Sequence, residues 1–361
     1  MTDFSTRRYE KLGYVPRHAL AHQFDGMDIQ TVVAYGKNRL QIWDYINKNV
    51  VGEFLADSEK LTIEQAKPVS SSVLALVSGF ARAWQGDGYA GELRFMKPNW
   101  SANEGAFSRL SSQPWIPDGR SNTKLSVIEG MNSENPSDET RVSLFTGAYT
   151  GGDVYRRVFD ISGTNVTLVR QQKMESSHSD LVSALCHVEA GNYVVSGSVS
   201  GDVYVNDHDV GTHTRKINLG ENGKVSSITR CPFNTNVFMV GNCRFESEMS
   251  IYDIRDCSKN SKPALTLEDS DSTIKLRQNH PAWDSVTGLI FAPMRGRKDR
   301  RKGGFVNIWD PRFVKNEAAL QERISLTGWN THSVDLVKTV AGRDRVMVTA
   351  TDDHIGFTTF S

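Results

Sequence analysis

The chain has 361 residues, more than one typical domain, yet a length that a closed all-β architecture absorbs in a single unit. Lys plus Arg equals Asp plus Glu at 42 each, which excludes a global field that would recruit nucleic acid, a membrane surface or an acidic substrate, so any such attraction must be local. The longest apolar stretch, around Ser72 to Phe80, is too short to cross a bilayer and the N-terminal segment has no apolar h-region, so no membrane insertion and a nuclear or cytoplasmic location are expected. The four cysteines, Cys186, Cys231, Cys243 and Cys257, show no C-x-x-C spacing and read as reduced and mostly buried, in keeping with that location.

One theme recurs along the chain: an apolar strand, a Gly/Asp/Asn turn, and a second strand that often ends in an aromatic and an acid. In order it appears as TVVAYGKNRLQIWDY (31–45), SVLALVSGF with GELRFMK (72–80, 91–97), RVSLFTGAYTGGDVYRRVFDI (141–161) and YVVSGSVSGDVYVNDHD (193–209). It returns as VFMVGNCRFESEMSIYDIRD (237–256), VTGLIFAPMRGRKDRRKGGFVNIWDPR (286–312) and VMVTATDDHIGFTTF (346–360), seven copies in all. The alternation of Val203 and Val205 with polar neighbours, and turn residues that tolerate positive φ, make each copy a β-hairpin. Further strand-like runs precede the hairpins at 123–129, 181–188, 224–232, 272–281 and 333–340, and follow them at 50–56, 166–172, 214–219 and 264–268.

Four strands per unit, seven units and no sustained helical periodicity predict an all-β, seven-bladed β-propeller, one domain over 1–361. The expected blades cover about 16–57, 60–112, 122–173, 178–220, 223–268, 271–326 and 331–361. The last copy lacks a fourth strand, so the N-terminal segment 7–15 is expected to supply it and close the ring, because a blade cannot hide its edge alone.

Leu40-Gln41-Ile42-Trp43-Asp44 and Val306-Asn307-Ile308-Trp309-Asp310 resemble the WD dipeptide that ends the third strand of WD40 blades, with Ile251-Tyr252-Asp253 and Val158-Phe159-Asp160 as degenerate versions. The resemblance covers the whole chain. It implies a hydrogen-bonded tetrad in each blade, for which His178 and His332 occupy the His position, Thr349 and Asp352 fit as partners of His332, and Phe357 replaces the Trp. The spacing of the last four blades looks like that of the small WD40 subunit of the nuclear-pore outer ring, whereas Cys231 to Leu265 looks nearly as much like the WD40 subunit of the methylosome. The resemblance thus implies a non-catalytic scaffold for other proteins, either a structural subunit of a nuclear complex such as the pore or an adaptor that presents substrates to a modifying enzyme.

Several features allow a functional and a plain reading. The run Arg295-Gly296-Arg297-Lys298-Asp299-Arg300-Arg301-Lys302 holds six cations against one acid, which suits an import signal or a contact for phosphate or an acidic partner; the plain reading is a solvated turn. Nucleic acid would be bound, if at all, through this run, although it lacks interleaved aromatics for base stacking. Arg255 and Arg312 follow Asp253 and Asp310 in D-x-R pairs that match the docking box of cullin-4 substrate receptors; the plain reading is a bond within each turn. Trp100 and Trp115 lie in the long connection 97–122 and are candidate interface anchors, the other reading being that Ala106 to Ser111 forms the fourth strand of the second blade.

Asp207-His208-Asp209 with His213 has metal-ligand residue types but no spacing that fixes a shell, and Cys186 and His187 alternate to opposite faces of a strand and so cannot act as a pair. No phosphate-binding G-x-x-x-x-G-K-[ST], no G-x-S-x-G and no H-E-x-x-H is present, so no catalytic residue, cofactor or metal is expected. The first contact surface expected is the face carrying the connections between second and third strands and between blades, the basic run included.

Overall fold

A computed structural model describes residues 4–12, 14, 18–24, 31–56, 61–80, 92–98, 107–110, 125–131, 141–148, 151–162, 165–188, 192–219, 223–242, 249–256, 262–269, 274–276, 281–296, 304–313, 319–326, 333–337, 345–352 and 354–360. The elements described are twenty-nine β-strands. After β1 (Phe4–Lys11), the first blade contains β2 (His18–His22), β3 (Thr31–Gly36), β4 (Arg39–Asp44) and β5 (Asn49–Leu55). The second contains β6 (Leu61–Pro68), β7 (Leu74–Phe80), β8 (Glu92–Pro98) and β9 (Phe107–Leu110); the third β10 (Leu125–Gly130), β11 (Arg141–Ala148), β12 (Asp153–Ser162) and β13 (Asn165–Ser177). The fourth contains β14 (Val182–Val188), β15 (Tyr193–Ser198), β16 (Asp202–Asp207) and β17 (His213–Asn218), and the fifth β18 (Val225–Arg230), β19 (Val237–Asn242), β20 (Met249–Asp253) and β21 (Leu265–Leu267).

In the sixth blade β22 (Ile274–Leu276) and β23 (Ala282–Trp283) both pair with β24 (Ile290–Gly296), followed by β25 (Gly304–Trp309) and β26 (Leu320–Leu326). The inner strand expected over 272–281 is therefore split. Its break lies opposite Ala292 and Pro293, and Pro293 has no N–H to donate to a neighbour. The seventh blade is β27 (Ser333–Val337), β28 (Arg345–Ala350) and β29 (His354–Phe360), and β1 completes it antiparallel to β29, with Phe4 opposite Phe360 and Lys11 opposite His354. This is the expected closure, made by 4–11 and not 7–15. The connection 97–122 contributes β9, the fourth strand of the second blade, as in the plainer of its two readings.

The recurrent acid after the aromatic has a local cause. With the strands of a blade named a to d from the ring axis outward, this acid begins the c–d turn in the first, fourth, fifth and sixth blades. Asp44 Oδ1 accepts from the backbone N of Ile46 and Asn47 at 2.8 and 3.1 Å; Asp207, Asp253 and Asp310 repeat the bond to the residue two positions on, at 2.9, 2.9 and 3.0 Å. A short carboxylate that satisfies two otherwise free N–H groups makes a tight turn where the chain must reverse.

The core is not central. Each of seven clusters of buried apolar side chains lies between two adjacent blades, as with Ala184, Val203 and Ile217 against Val225, Phe238 and Tyr252 between the fourth and fifth. Both faces of a blade are buried by its neighbours, so b strands read as unbroken apolar runs: every residue of β3 is buried. The fit is tight at Gly197 on β15, where an added Cβ would overlap the Val225 side chain of the next blade.

One of the tetrads implied by the WD40 resemblance is present in altered form. His178 Nε2 and Ser196 Oγ are 2.9 Å apart in a buried site, and the His178 ring meets Tyr204 edge-on at 4.7 Å, while the Trp position before Asp207 is held by the buried Asn206. Lys216 lies over the Tyr204 ring at 5.1 Å and pairs with Asp202 at 3.1 Å. His332 lies outside the described residues.

Two stability experiments follow from these contacts. Removing residues 1–12 leaves β29 as an unpaired edge and uncovers part of the cluster between the seventh and first blades. The expected result is a lower unfolding temperature and a shift to higher oligomers by size-exclusion chromatography. Gly197→Ala should lower the unfolding free energy by about 1–3 kcal/mol in urea titration, because the added methyl group wedges two blades apart.

Candidate interaction surface

Because the strands of a blade are antiparallel, its a–b and c–d turns emerge on one face of the ring and its b–c and d–a connections on the other. The basic run belongs to the b–c connection of the sixth blade. Arg295 lies on β24 in register with Gly304, while Arg297, Lys298, Arg300, Arg301 and Lys302 lie outside the described residues, as do Trp100 and Trp115.

Arg255 and Arg312 are on the opposite, a–b/c–d face. Each forms a two-pronged pair with the acid of its own turn: Arg255 Nε reaches Asp253 Oδ1 at 3.0 Å and Nη2 reaches Oδ2 at 2.6 Å, and Arg312 does the same with Asp310 at 2.8 and 2.5 Å. The plain reading of the D-x-R pairs is thus what the structure shows. The bond leaves a polarity, however: the guanidinium side chains are 63% and 71% exposed and their carboxylates 14% and 5%. Both carboxyl groups are held below the usual carboxylate range, chiefly by the hydrogen bond from the arginine.

The same face gathers apolar side chains in solvent. Ile46 and Val210 sit on the c–d turns of the first and fourth blades, Phe233 and Val286 on the a–b turns of the fifth and sixth, and Phe313 after the c strand of the sixth. Among the described residues no b–c or d–a turn carries an exposed large apolar side chain, the four others being in β5 and β13. Among the described residues the exposed apolar side chains of the turns therefore lie on this face. Their placement was not legible in sequence because an isolated Phe or Val in a turn is indistinguishable from one that folds back on the core.

The histidine and acid cluster of the fourth blade does not converge. His208 packs inward on Phe145 and His187 at 5.6 and 5.3 Å, with Arg156 Nη1 3.3 Å from its Nδ1, whereas His213 turns to Glu175 at 3.4 Å. Arg156 also bonds Asp209 at 3.1 Å, so the cluster ties the third blade to the fourth. Among the described residues no three His, Cys, Asp or Glu side chains are grouped to hold a metal. Cys186 and His187 do diverge: Cys186 packs between the fourth and fifth blades and lines the channel, while His187 packs against Phe145 of the third blade.

Around the axis, a strands from all seven blades enclose a cavity of about 350 Å³. Its ionisable groups were not singled out in the sequence. Lys67 pairs with Glu129 at 3.0 Å across the second and third blades; burial opposes the charge on Lys67, yet the field and hydrogen bond of Glu129 keep its pKa above the ordinary value. Asp335 of the seventh blade accepts from Ala21 N of the first at 2.8 Å and from Leu336 N at 2.8 Å, and burial raises its pKa to about 6. Burial likewise pushes the Cys186 thiol up to about 12, so it is held protonated. Further clips join neighbouring a strands, from Ser333 Oγ to Ala19 N (2.9 Å), Gln65 Oε1 to Ile128 N (2.6 Å) and Ser183 Oγ to Val225 O (2.6 Å).

No family model and no curated protein matches this chain. It is similar to a chain in the crystal structure of the mitotic checkpoint complex, with a TM-score of 0.69 over 99% of this chain and 92% of that one, at 14% sequence identity. The fold is a seven-bladed β-propeller. Since 1268 solved chains match, the likeness specifies the ring and says nothing of what this propeller holds.

Two buried groups give this propeller opposing pH responses. Burial lowers the His178 pKa from 6.5 to about 4, so the folded state binds fewer protons than the unfolded one; its stability is full above pH 6.5 and is lost as pH falls toward 4. Asp335, raised from 3.8 to about 6, acts in reverse: its stability is full below 3.8 and is lost as pH rises through 6. Between pH 7 and pH 5 the first change should cost about 2 kcal/mol and the second return about 1 kcal/mol. In urea titrations His178→Gln should therefore lose less stability on acidification than the parent chain, and Asp335→Asn more.

Proposed function

We propose that this propeller is a non-catalytic scaffold that holds other proteins within a multi-subunit assembly. The observation that carries the reading is the gathering of exposed apolar side chains on the a–b/c–d turns, because apolar groups presented on rigid turns bury area against a partner at little entropic cost. The ionisable groups of the channel support it from the other side: Lys67, Glu129 and Asp335 hold blades together. The similar solved chain was itself seen within a complex.

Within that class we propose a structural subunit of a nuclear complex such as the outer ring of the nuclear pore, in line with the spacing of the last four blades. A second reading, an adaptor for a cullin-4 ubiquitin ligase or for the methylosome, is favoured by the exposure of the Arg255 and Arg312 guanidinium groups beside their acids. Affinity purification of the full chain followed by mass spectrometry separates them. Outer-ring pore proteins are the expected recovery; a cullin adaptor or an arginine methyltransferase in their place would establish the second reading. Recovery of no stoichiometric protein partner, together with a turnover activity, would overturn the scaffold.

A further inference from the structure

The a–b/c–d face is not uniform, and its fifth and sixth blades differ from the rest. Phe233 and Val286, 57% and 64% exposed, stand on the neighbouring a–b turns of these two blades. The turns touch: a Cβ at Gly288 would lie 3.5 Å from Phe233 Cε2. Within the sixth blade Ile290 pairs with Trp309, so the a–b turn and the chain from Asp310 to Phe313 leave the sheet side by side, and Phe313 is 47% exposed. Three apolar side chains thus share one sector.

Among the described residues the exposed charges around them are mainly cationic. Arg230, Arg255, Lys262 and Arg312 are exposed there against a single exposed acid, Asp256, in the described segments 230–236, 253–256, 262–264, 284–288 and 310–313. Asp253 and Asp310 are drawn down into their turns by the backbone N–H groups they cap, and Asp284 is buried and paired with Arg345 of the seventh blade. The turn device that builds the blade ends therefore leaves cations on the surface and acids beneath it. The fourth blade shows the contrast, with Asp209 half exposed beside Val210.

We propose that this sector of the fifth and sixth blades is a docking site for a short acidic segment of a partner protein bearing apolar or aromatic anchors. The proposal rests on the scaffold reading and names the partner's chemistry. The anchors would cover Phe233, Val286 and Phe313, and carboxylates beside them would meet the outward faces of Arg255 and Arg312, which already have one planar acid and retain N–H groups on the other edge. Single-stranded nucleic acid would match the charge and stack on Phe233 and Phe313 but would leave the aliphatic Val286 uncovered, so an acidic segment with apolar anchors fits better.

The test is selection of displayed random peptides of about a dozen residues on the full chain, followed by fluorescence polarisation with the enriched sequences. Enriched peptides should combine Asp or Glu with Phe, Leu or Trp, and their binding should weaken between about 0.1 M and about 0.5 M salt. Phe233→Ser with Phe313→Ser should weaken them at least about tenfold with the unfolding temperature unchanged. Arg255→Gln with Arg312→Gln should weaken them and flatten the salt dependence, and Val169→Ser on β13 of the third blade, the control, should leave binding intact. Selection that yields no binder, binders without acidic residues, or binders indifferent to both double variants would overturn the docking site. Binders that map to the b–c/d–a face would overturn it while leaving the scaffold reading in place.

Discussion

A four-stranded blade has two apolar faces, and only another blade can cover each of them. That constraint organises the whole molecule. It distributes the core into seven clusters between blades in place of one at the centre, buries b strands such as β3 along their full length, and obliges the ring to close. Closure is completed by β1 against β29, which joins the two ends of the chain in one sheet and covers the last open edge.

Closing a ring of sheets leaves a second set of edges, the a strands facing the axis. Their free N–H and C=O groups cannot pair with one another across a channel, so side chains reach between neighbours: Ser333 to Ala19, Asp335 to Ala21, Gln65 to Ile128, Ser183 to Val225. The polarity of the channel, with Lys67, Glu129 and Asp335 at its wall, follows from this need. Such groups are committed to holding blades in register, and the exposed apolar side chains and arginines stand apart from them on the turns.

At the turns a single chemical habit has two results. An aspartate at the end of a c strand accepts a hydrogen bond from the backbone N–H two positions on, and where an arginine stands there the same carboxylate holds its guanidinium as well. The carboxylate is sunk to satisfy the backbone and the guanidinium is left outside. A local rule for reversing the chain thereby sets the charge that this part of the face presents to solvent.

The seven hairpins, the four-strand unit, the closure by an N-terminal segment and the recurrent aromatic–acid pair were legible in the sequence because each depends on neighbours a few residues apart: alternation along a strand, turn residues, an acid at a fixed offset. His178 was legible for the same reason, through its offset before the a strand of the fourth blade. The separation of Cys186 from His187 followed from strand alternation alone. The tertiary structure alone decided what depends on the ring: the split of the sixth blade's inner strand opposite Pro293, the meeting of Lys67 with Glu129 and of Asp335 with Ala21, and the coming together of Phe233, Val286 and Phe313 with outward-facing arginines. These residues are tens to hundreds of positions apart in the chain. Their juxtaposition is set by how blades turn about a common axis, and no local pattern carries that rotation.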